Sequence, residues 1–204
     1  MTQKMDIDIY LIRHAQTQGN LERRYIGRTD EPLSDAGVAC FCNLAYPAVS
    51  RVITSPMKRC LQTAQIIYPM QESVVEENFR ECDFGDFEGK SHAELENNPA
   101  YRRWIALGGS QAPPNGESME AFKRRCCDAF AAAVKQAFSD RLPGIAFVLH
   151  GGTIMAVLER FAVPAKPFYD WQVENLGCWK AKAPEPEWTA RPILTDLERF
   201  YAGE

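Results

Sequence analysis

One histidine closes an apolar run in YLIRHAQTQGN (10–20), and another closes a second run in GIAFVLH (144–150). The chain holds three histidines in 204 residues, so two of them share one local context. Arg13 stands beside His14. Gly151 and Gly152 follow His150 and leave backbone amides uncovered where a helix is expected to begin, a ready site for an anion. Arg59 lies a few residues beyond a third short apolar run, RVIT (51–54). Guanidinium groups match phosphate oxygens in a bidentate way. Taken singly, each residue has an ordinary structural or surface role. Together, two histidines, two arginines and a glycine-rich helix start describe a pocket for a dianionic phosphoryl group.

Such a pocket needs elements that gather these side chains. In open α/β sheets, ligands bind beyond the carboxyl ends of the strands. If the runs ending at His14 and His150 are parallel neighbours, both rings reach one crevice. The pattern supports this. DIDIYLI (6–12) and GIAFVLH (144–150) read as buried strands, with RVIT (51–54) and SVVEE (73–77) as shorter ones. Ser34 caps a helix expected to run towards Pro47. Ser55 and Pro56 open another that ends at Pro69. SHAE (91–94) fits a capping box, PAYRRWIAL (99–107) a short helix, and GGSQAPPNGES (108–118) a loop. Apolar residues at helical spacing mark a long helix within 118–139, and GGTIMAVLERF (151–161) another. GCWKAKA (177–183) and WTARPILTDLE (188–198) alternate as a β-hairpin does. Alternating strands and helices predict an α/β fold with a mostly parallel sheet, as one domain over 1–204.

Four segments, LIRHAQTQGN, SPMKRCLQTAQII, FRECDFGDFEGK and VLHGGTI, resemble the signatures of the histidine phosphatase superfamily, the phosphoglycerate mutase-like proteins. The resemblance spans roughly residues 7–160 and keeps the family's order and approximate spacing. It implies a three-layer α/β/α sandwich and metal-free phosphoryl transfer with no cofactor. By this resemblance His14 is the nucleophile, while Arg13, Arg59 and His150 hold the phosphoryl oxygens. Glu81 is the proton donor to the leaving group. Asn20, Gly27 and the amide of Gly151 line the phosphate pocket. One departure is visible: the family places glycine after the nucleophile, and here stands Ala15, whose methyl fits only a backbone with negative φ.

The chemistry suits these residue types. Neutral imidazole is a good nucleophile near pH 7, and its phosphoramidate is labile to water. The transferring group spreads charge over three oxygens, which Arg13, Arg59 and a protonated or hydrogen-bonding His150 offset without magnesium. A protonated carboxyl supplies the departing alkoxide, and the acids Asp83, Asp86 and Glu88 around Glu81 are expected to raise its pKa.

Composition narrows the field. Net charge is −4, which argues against a general nucleic-acid or membrane-surface binder. No apolar stretch is long enough to span a bilayer and no secretory pattern opens the chain, so a cytoplasmic enzyme is expected. The seven cysteines form no Cys-x-x-Cys, so buried, reduced thiols are expected rather than zinc. His92, inside the capping box, reads as a surface residue. Two other readings stand beside a phosphatase of a small phosphate monoester: a phosphoglycerate mutase, for whose inserted segments this chain is short, and a non-catalytic phospho-ligand binder. RRYIGRTDEPLSDAG and NGES (115–118) also resemble the branch containing alpha-ribazole 5′-phosphate phosphatases. The oligomeric state, homodimer included, is left open.

Overall fold

A computed structural model describes residues 5–42 and 44–200. Strand β1 (Asp6–Arg13) runs through the middle of a six-stranded sheet with β2 (Arg51–Thr54), β3 (Val74–Val75), β4 (Gly144–Leu149), β5 (Cys178–Pro184) and β6 (Thr195–Phe200). The order is β3-β2-β4-β1-β5-β6. β3, β2, β4 and β1 are parallel; β5 and β6 complete the sheet antiparallel. The arrangement is the expected three-layer α/β/α sandwich with a mostly parallel sheet.

Strand alternation builds the two faces. Ile7, Ile9 and Leu11 of β1 join Ile145, Phe147 and Leu149 of β4 against helices α6 (Met119–Ser139) and α7 (Gly151–Phe161). Tyr10 and Ile12 join Ala146 and Val148 on the other face, against Cys60 and Ala64 of α3 (Lys58–Ile67). The α6 residues Phe122, Cys126, Phe130 and Val134 recur every four positions and are all buried. Burying each large apolar side chain contributes about 1.5–3 kcal/mol. A third, aromatic cluster forms around Phe87, Leu95 and Tyr101, beside α4 (His92–Leu95) and α5 (Pro99–Ala106). A short α1 (Gln18–Leu21) follows β1, with its own capping box from Thr17 and Asn20.

Several expected elements differ. The helix from Ser34 covers only α2 (Asp35–Ala39), and Cys40 and Cys42 beyond it are exposed; the other five thiols are buried as expected. Residue 43, within the expected helix, lies outside the described residues. α3 begins at Lys58 rather than after Ser55, whose hydroxyl meets both the Met57 amide, at 3.4 Å, and His150 Nε2, at 2.7 Å. The strand at 73–77 shrinks to Val74–Val75, both exposed at the sheet edge. β5 and β6 pair, but helix α8 (Glu185–Ala190) interrupts the hairpin and buries Trp188 against Phe130 and Phe161. No helix among the described residues is long and apolar enough to cross a membrane.

Candidate active site

Three strand ends converge. β1 and β4 pair with Arg13 opposite Leu149, and the His14 amide donates to the Leu149 carbonyl at 2.9 Å. β2 ends at Thr54, and the Ser55 amide reaches the Val148 carbonyl. Parallel pairing therefore sets His14 and His150 in corresponding positions at one edge. Their ring centroids lie 5.2 Å apart at 68°, and both rings are buried.

Hydrogen bonds fix both tautomers. His14 Nδ1 meets the Ala15 carbonyl at 2.7 Å. A carbonyl only accepts, so Nδ1 carries the hydrogen and Nε2 keeps its lone pair. Burial first, then the charges of Arg59 and Arg13, hold the His14 pKa well below the ordinary 6.5. The ring is thereby held neutral, with the Nε2 lone pair uncommitted. Ala15 keeps out of the left-handed region, and its amide donates to Thr63 Oγ1 at 3.0 Å, so its methyl is accommodated.

His150 is arranged differently. Arg59 Nε donates to its Nδ1 at 3.2 Å, so Nε2 carries the hydrogen and gives it to Ser55 Oγ at 2.7 Å. Burial, then Arg59, lowers its pKa well below 6.5 as well. Both ring nitrogens thus have protein partners, and His150 supports Arg59 from beneath.

Arg59 is itself only 1 % exposed. Its Nη1 and Nη2 donate to the carbonyls of Thr29 and Gly27 at 2.8 and 2.9 Å. That loop is held in turn by Glu88 Oε1, which accepts from the Gly27 and Thr29 amides. A Cβ at Gly27 would fall 1.8 Å from the Cys82 carbonyl oxygen, so only glycine lets the loop approach. The structure places Gly27 against Arg59 rather than along the cavity. Arg13 does line the cavity: its Nη1 donates to Val173 O at 2.8 Å, and its buried Nε has no protein partner. Gly151 lies beside it, its would-be Cβ 3.4 Å from Arg13 Nε.

Glu81 faces the same cavity. Its Oε1 accepts from the Cys82 amide and its Oε2 from the Gly152 amide, each at 3.0 Å. Burial raises its pKa above the ordinary 4.5, against the opposing pull of those two bonds and of Arg59 and Arg13. The expected direction therefore holds, but for another reason. Asp83 is bound to the Gly85 amide and Arg28, Asp86 to Asn115, and Glu88 to the Gly27 loop; none of the three is a cause of the shift. The Gly152 amide, offered by the sequence to an anionic ligand, is occupied by Glu81.

Asn20 lines the cavity, its Oδ1 accepting from the Thr17 amide at 3.2 Å and from Asn175 Nδ2 at 3.3 Å. Those two donors orient the amide so that Nδ2 remains as its donor. Asn175 also donates to the His14 carbonyl at 2.8 Å. Asn175, Ser55 and Thr63 are the site residues sequence reasoning missed. Ser55 reads as a helix cap, and nothing marks a loop asparagine 161 residues from its partner.

The cavity measures about 940 Å³. Arg13, His14, Asn20, Glu81 and Gly151 line it together with the charged Asp170, Glu174 and Arg199, and Tyr25, Phe84 and Trp104 add an aromatic group to the lining. Tyr25 packs edge-on against Trp104 and tilted against Phe84 at centroid distances of 5.7 and 5.1 Å. A phosphate joined to a flat organic group matches such a lining. His92 is exposed, with Nδ1 at the Tyr101 hydroxyl.

Comparison with known proteins shows the family and the fold. Residues 9–192 match the family described as the histidine phosphatase superfamily (branch 1). The adenosylcobalamin/alpha-ribazole phosphatase of Salmonella typhimurium is 29% identical over 183 residues, covering 85% of this chain and 88% of that protein. The crystal structure of the alpha-ribazole phosphatase from Shigella flexneri superposes with a TM-score of 0.80 at 22% identity, covering 95% and 96% of the two chains. That of phosphoglycerate mutase from Bacillus anthracis gives 0.77 at 21% identity, covering 97% and 93%. At these identities the two structures speak for the fold alone.

Proposed function

Because the chain belongs to the histidine phosphatase superfamily (branch 1), and so to the phosphatase enzymes, we propose that this cavity hydrolyses a small phosphate monoester through a phosphohistidine on His14. The observation that carries the reading is the tautomer of His14. A buried, neutral imidazole with Nδ1 tied to Ala15 leaves Nε2 as the nucleophile, in the same cavity as Arg13 and a carboxyl whose pKa is raised.

In the first step His14 Nε2 bonds to phosphorus while the ester P–O bond breaks. The Glu81 proton passes to the departing oxygen, giving the free alcohol. In the second, water attacks the phosphoramidate, its proton goes to the Glu81 carboxylate, and phosphate leaves with the P–N bond broken. Arg13, with its unpartnered Nε, is the donor best placed to meet the equatorial oxygens, with Asn20 Nδ2 beside it. Arg59 contributes from beneath as fixed positive charge held by His150 and the 27–29 loop. Losing one preorganised donor of this kind costs about 3 kcal/mol, roughly a hundredfold in rate.

We assign the aromatic part of the lining to the alcohol. Tyr25, Phe84 and Trp104 favour a flat ring over a sugar or amino acid, and the relative named adenosylcobalamin/alpha-ribazole phosphatase makes alpha-ribazole 5′-phosphate the leading candidate. Labelled substrate mixed with enzyme and quenched in alkaline denaturant should leave phosphate on His14, and His14→Ala should carry none and turn over nothing. A panel of alpha-ribazole phosphate, phosphoserine, 3-phosphoglycerate and sugar phosphates tests specificity. Equal kcat/KM across it would reject the aromatic assignment, and label on another residue would reject the mechanism.

A further inference from the structure

We propose that Arg125 is a positioning residue for Glu81: paired with Glu117, it clamps the main chain that carries the proton donor. The inference rests on the role of Glu81 given above. Glu81 sits between two 3-10 turns, Glu77–Phe79 and Gly85–Phe87, with no strand or helix of its own. Backbone there needs partners from elsewhere, and Arg125, on the inner face of α6, supplies them. Its Nη1 donates to the carbonyls of Asn78 and Arg80 at 2.6 and 2.7 Å, and its Nη2 to the Glu81 carbonyl at 3.1 Å.

The same guanidinium forks onto Glu117. Nε meets Oε1 at 2.8 Å and Nη2 meets Oε2 at 2.7 Å, with both side chains largely buried. Glu117 in turn sends its amide to the Asp83 carbonyl at 2.9 Å. Main-chain groups at 78, 80, 81 and 83 are therefore all tied to one ion pair. The guanidinium plane also lies against Phe122, 5.1 Å from the ring centre, which limits its own movement. Phe122 lines the cavity as well, and Arg125 reaches the reacting groups through the main chain of Glu81; its effect is to fix where the Glu81 carboxyl stands. A displacement of about 1 Å at a reacting group costs roughly a hundredfold in rate. Only arginine has the planar set of donors to serve carboxylate and carbonyls together.

The test is single-turnover phosphohistidine formation with two substrates. An alkyl phosphate needs a proton on its leaving oxygen; 4-nitrophenyl phosphate does not, because nitrophenolate leaves unaided. Arg125→Lys should slow transfer from the alkyl phosphate about 30-fold, a partial loss below the roughly 10²–10⁴ that general acid catalysis supplies in full, and from 4-nitrophenyl phosphate by less than about threefold. In a Glu81→Gln background the same substitution should add less than about twofold on the alkyl phosphate. Equal losses on both substrates, or a full multiplicative loss on top of Glu81→Gln, overturn the proposal. If Arg125→Lys does not fold, Glu117→Gln, which removes the charge of the fork, is held to the same two comparisons. Failure of the wild type itself to form phosphohistidine would instead sink the reading of Glu81 and His14.

Discussion

Gly152→Ala isolates the proton donor from the rest of the site. A Cβ at this position would lie 2.4 Å from Glu81 Oε1 and 3.0 Å from its Cδ. Ordinary contact needs about a further ångström, so the carboxyl must swing away and lose its 3.0 Å bond from the Gly152 amide. A misplacement of that size costs roughly a hundredfold, or about 2.7 kcal/mol in the barrier. Fold stability should fall only modestly, because the lost bond costs about 1–3 kcal/mol and helix propensity offsets part of it. Residue 152 lies in the first turn of α7, where replacing glycine by alanine gains up to about 1 kcal/mol of helix propensity. The neighbouring Gly151→Ala meets only Arg13 Nε at 3.4 Å, a contact that a small shift relieves, so its loss should be about tenfold smaller. The assay is kcat/KM on an alkyl phosphate and on 4-nitrophenyl phosphate, with thermal unfolding of each variant alongside. Gly152→Ala losing activity equally on both substrates, or matching Gly151→Ala, would refute the placement of Glu81 as the acid.

Two further predictions follow from the same contacts. On an alkyl phosphate, kcat/KM should be bell-shaped: the acid limb lies below pH 6.5, where lowered His14 gains its proton, and the alkaline limb above pH 4.5, where raised Glu81 loses its own. Glu81→Gln should abolish the alkaline limb, and a wild-type profile still rising through pH 8 would contradict it. Gly27→Ala should destabilise the fold by about 2–5 kcal/mol, since the new methyl meets the Cys82 backbone at 1.8 Å and Arg59 loses a buried carbonyl partner; urea unfolding checks this, and a loss under about 1 kcal/mol would refute it.

What the sequence makes legible is the part of the site fixed by strand ends. Arg13–His14 and His150–Gly151 stand out because the same pairing of a buried strand end with a histidine and an anion-binding neighbour occurs twice, and parallel pairing does the rest. The layered α/β fold follows from the same alternation. Residues chosen by tertiary partners are not legible. Ser55 carries the local signature of a helix cap and its hydroxyl does accept the Met57 amide, yet the helix starts three residues later and the same hydroxyl also serves His150, which no local signal shows. Trp188 and Thr189 alternate like a strand, but Pro186 and the aromatic surface of Phe130 and Phe161 favour a helical turn there. The acids after Glu81 look like neighbours that perturb it, because sequence distance stands in for space; each is bound to a partner that points it away, and burial does what they were expected to do. Asn175 lacks any local signal, since its role depends on which loop lies behind His14.

The electrostatics of the cavity suit the cycle proposed for it. Two guanidinium groups face two neutral imidazoles and a carboxyl that burial pushes towards its protonated form. With Glu81 protonated, the two guanidinium groups nearest His14 attract a dianion without opposition from that carboxyl. That dianion then acts on both titrating groups in the same direction, because nearby negative charge favours protonation by about 1–3 pKa units. At Glu81 the rise is wanted: it loads the acid as substrate arrives. At His14 it is unwanted, since a proton on Nε2 would block attack. The burial and the two arginines that lower His14 beforehand supply the margin against that rise. The same arginines also pull Glu81 down, and burial outweighs them there. Once phosphate has been transferred and the alcohol released, Glu81 is ionised beside a phosphoryl group, and a carboxylate whose proton affinity is raised by its surroundings is the base that the second step requires.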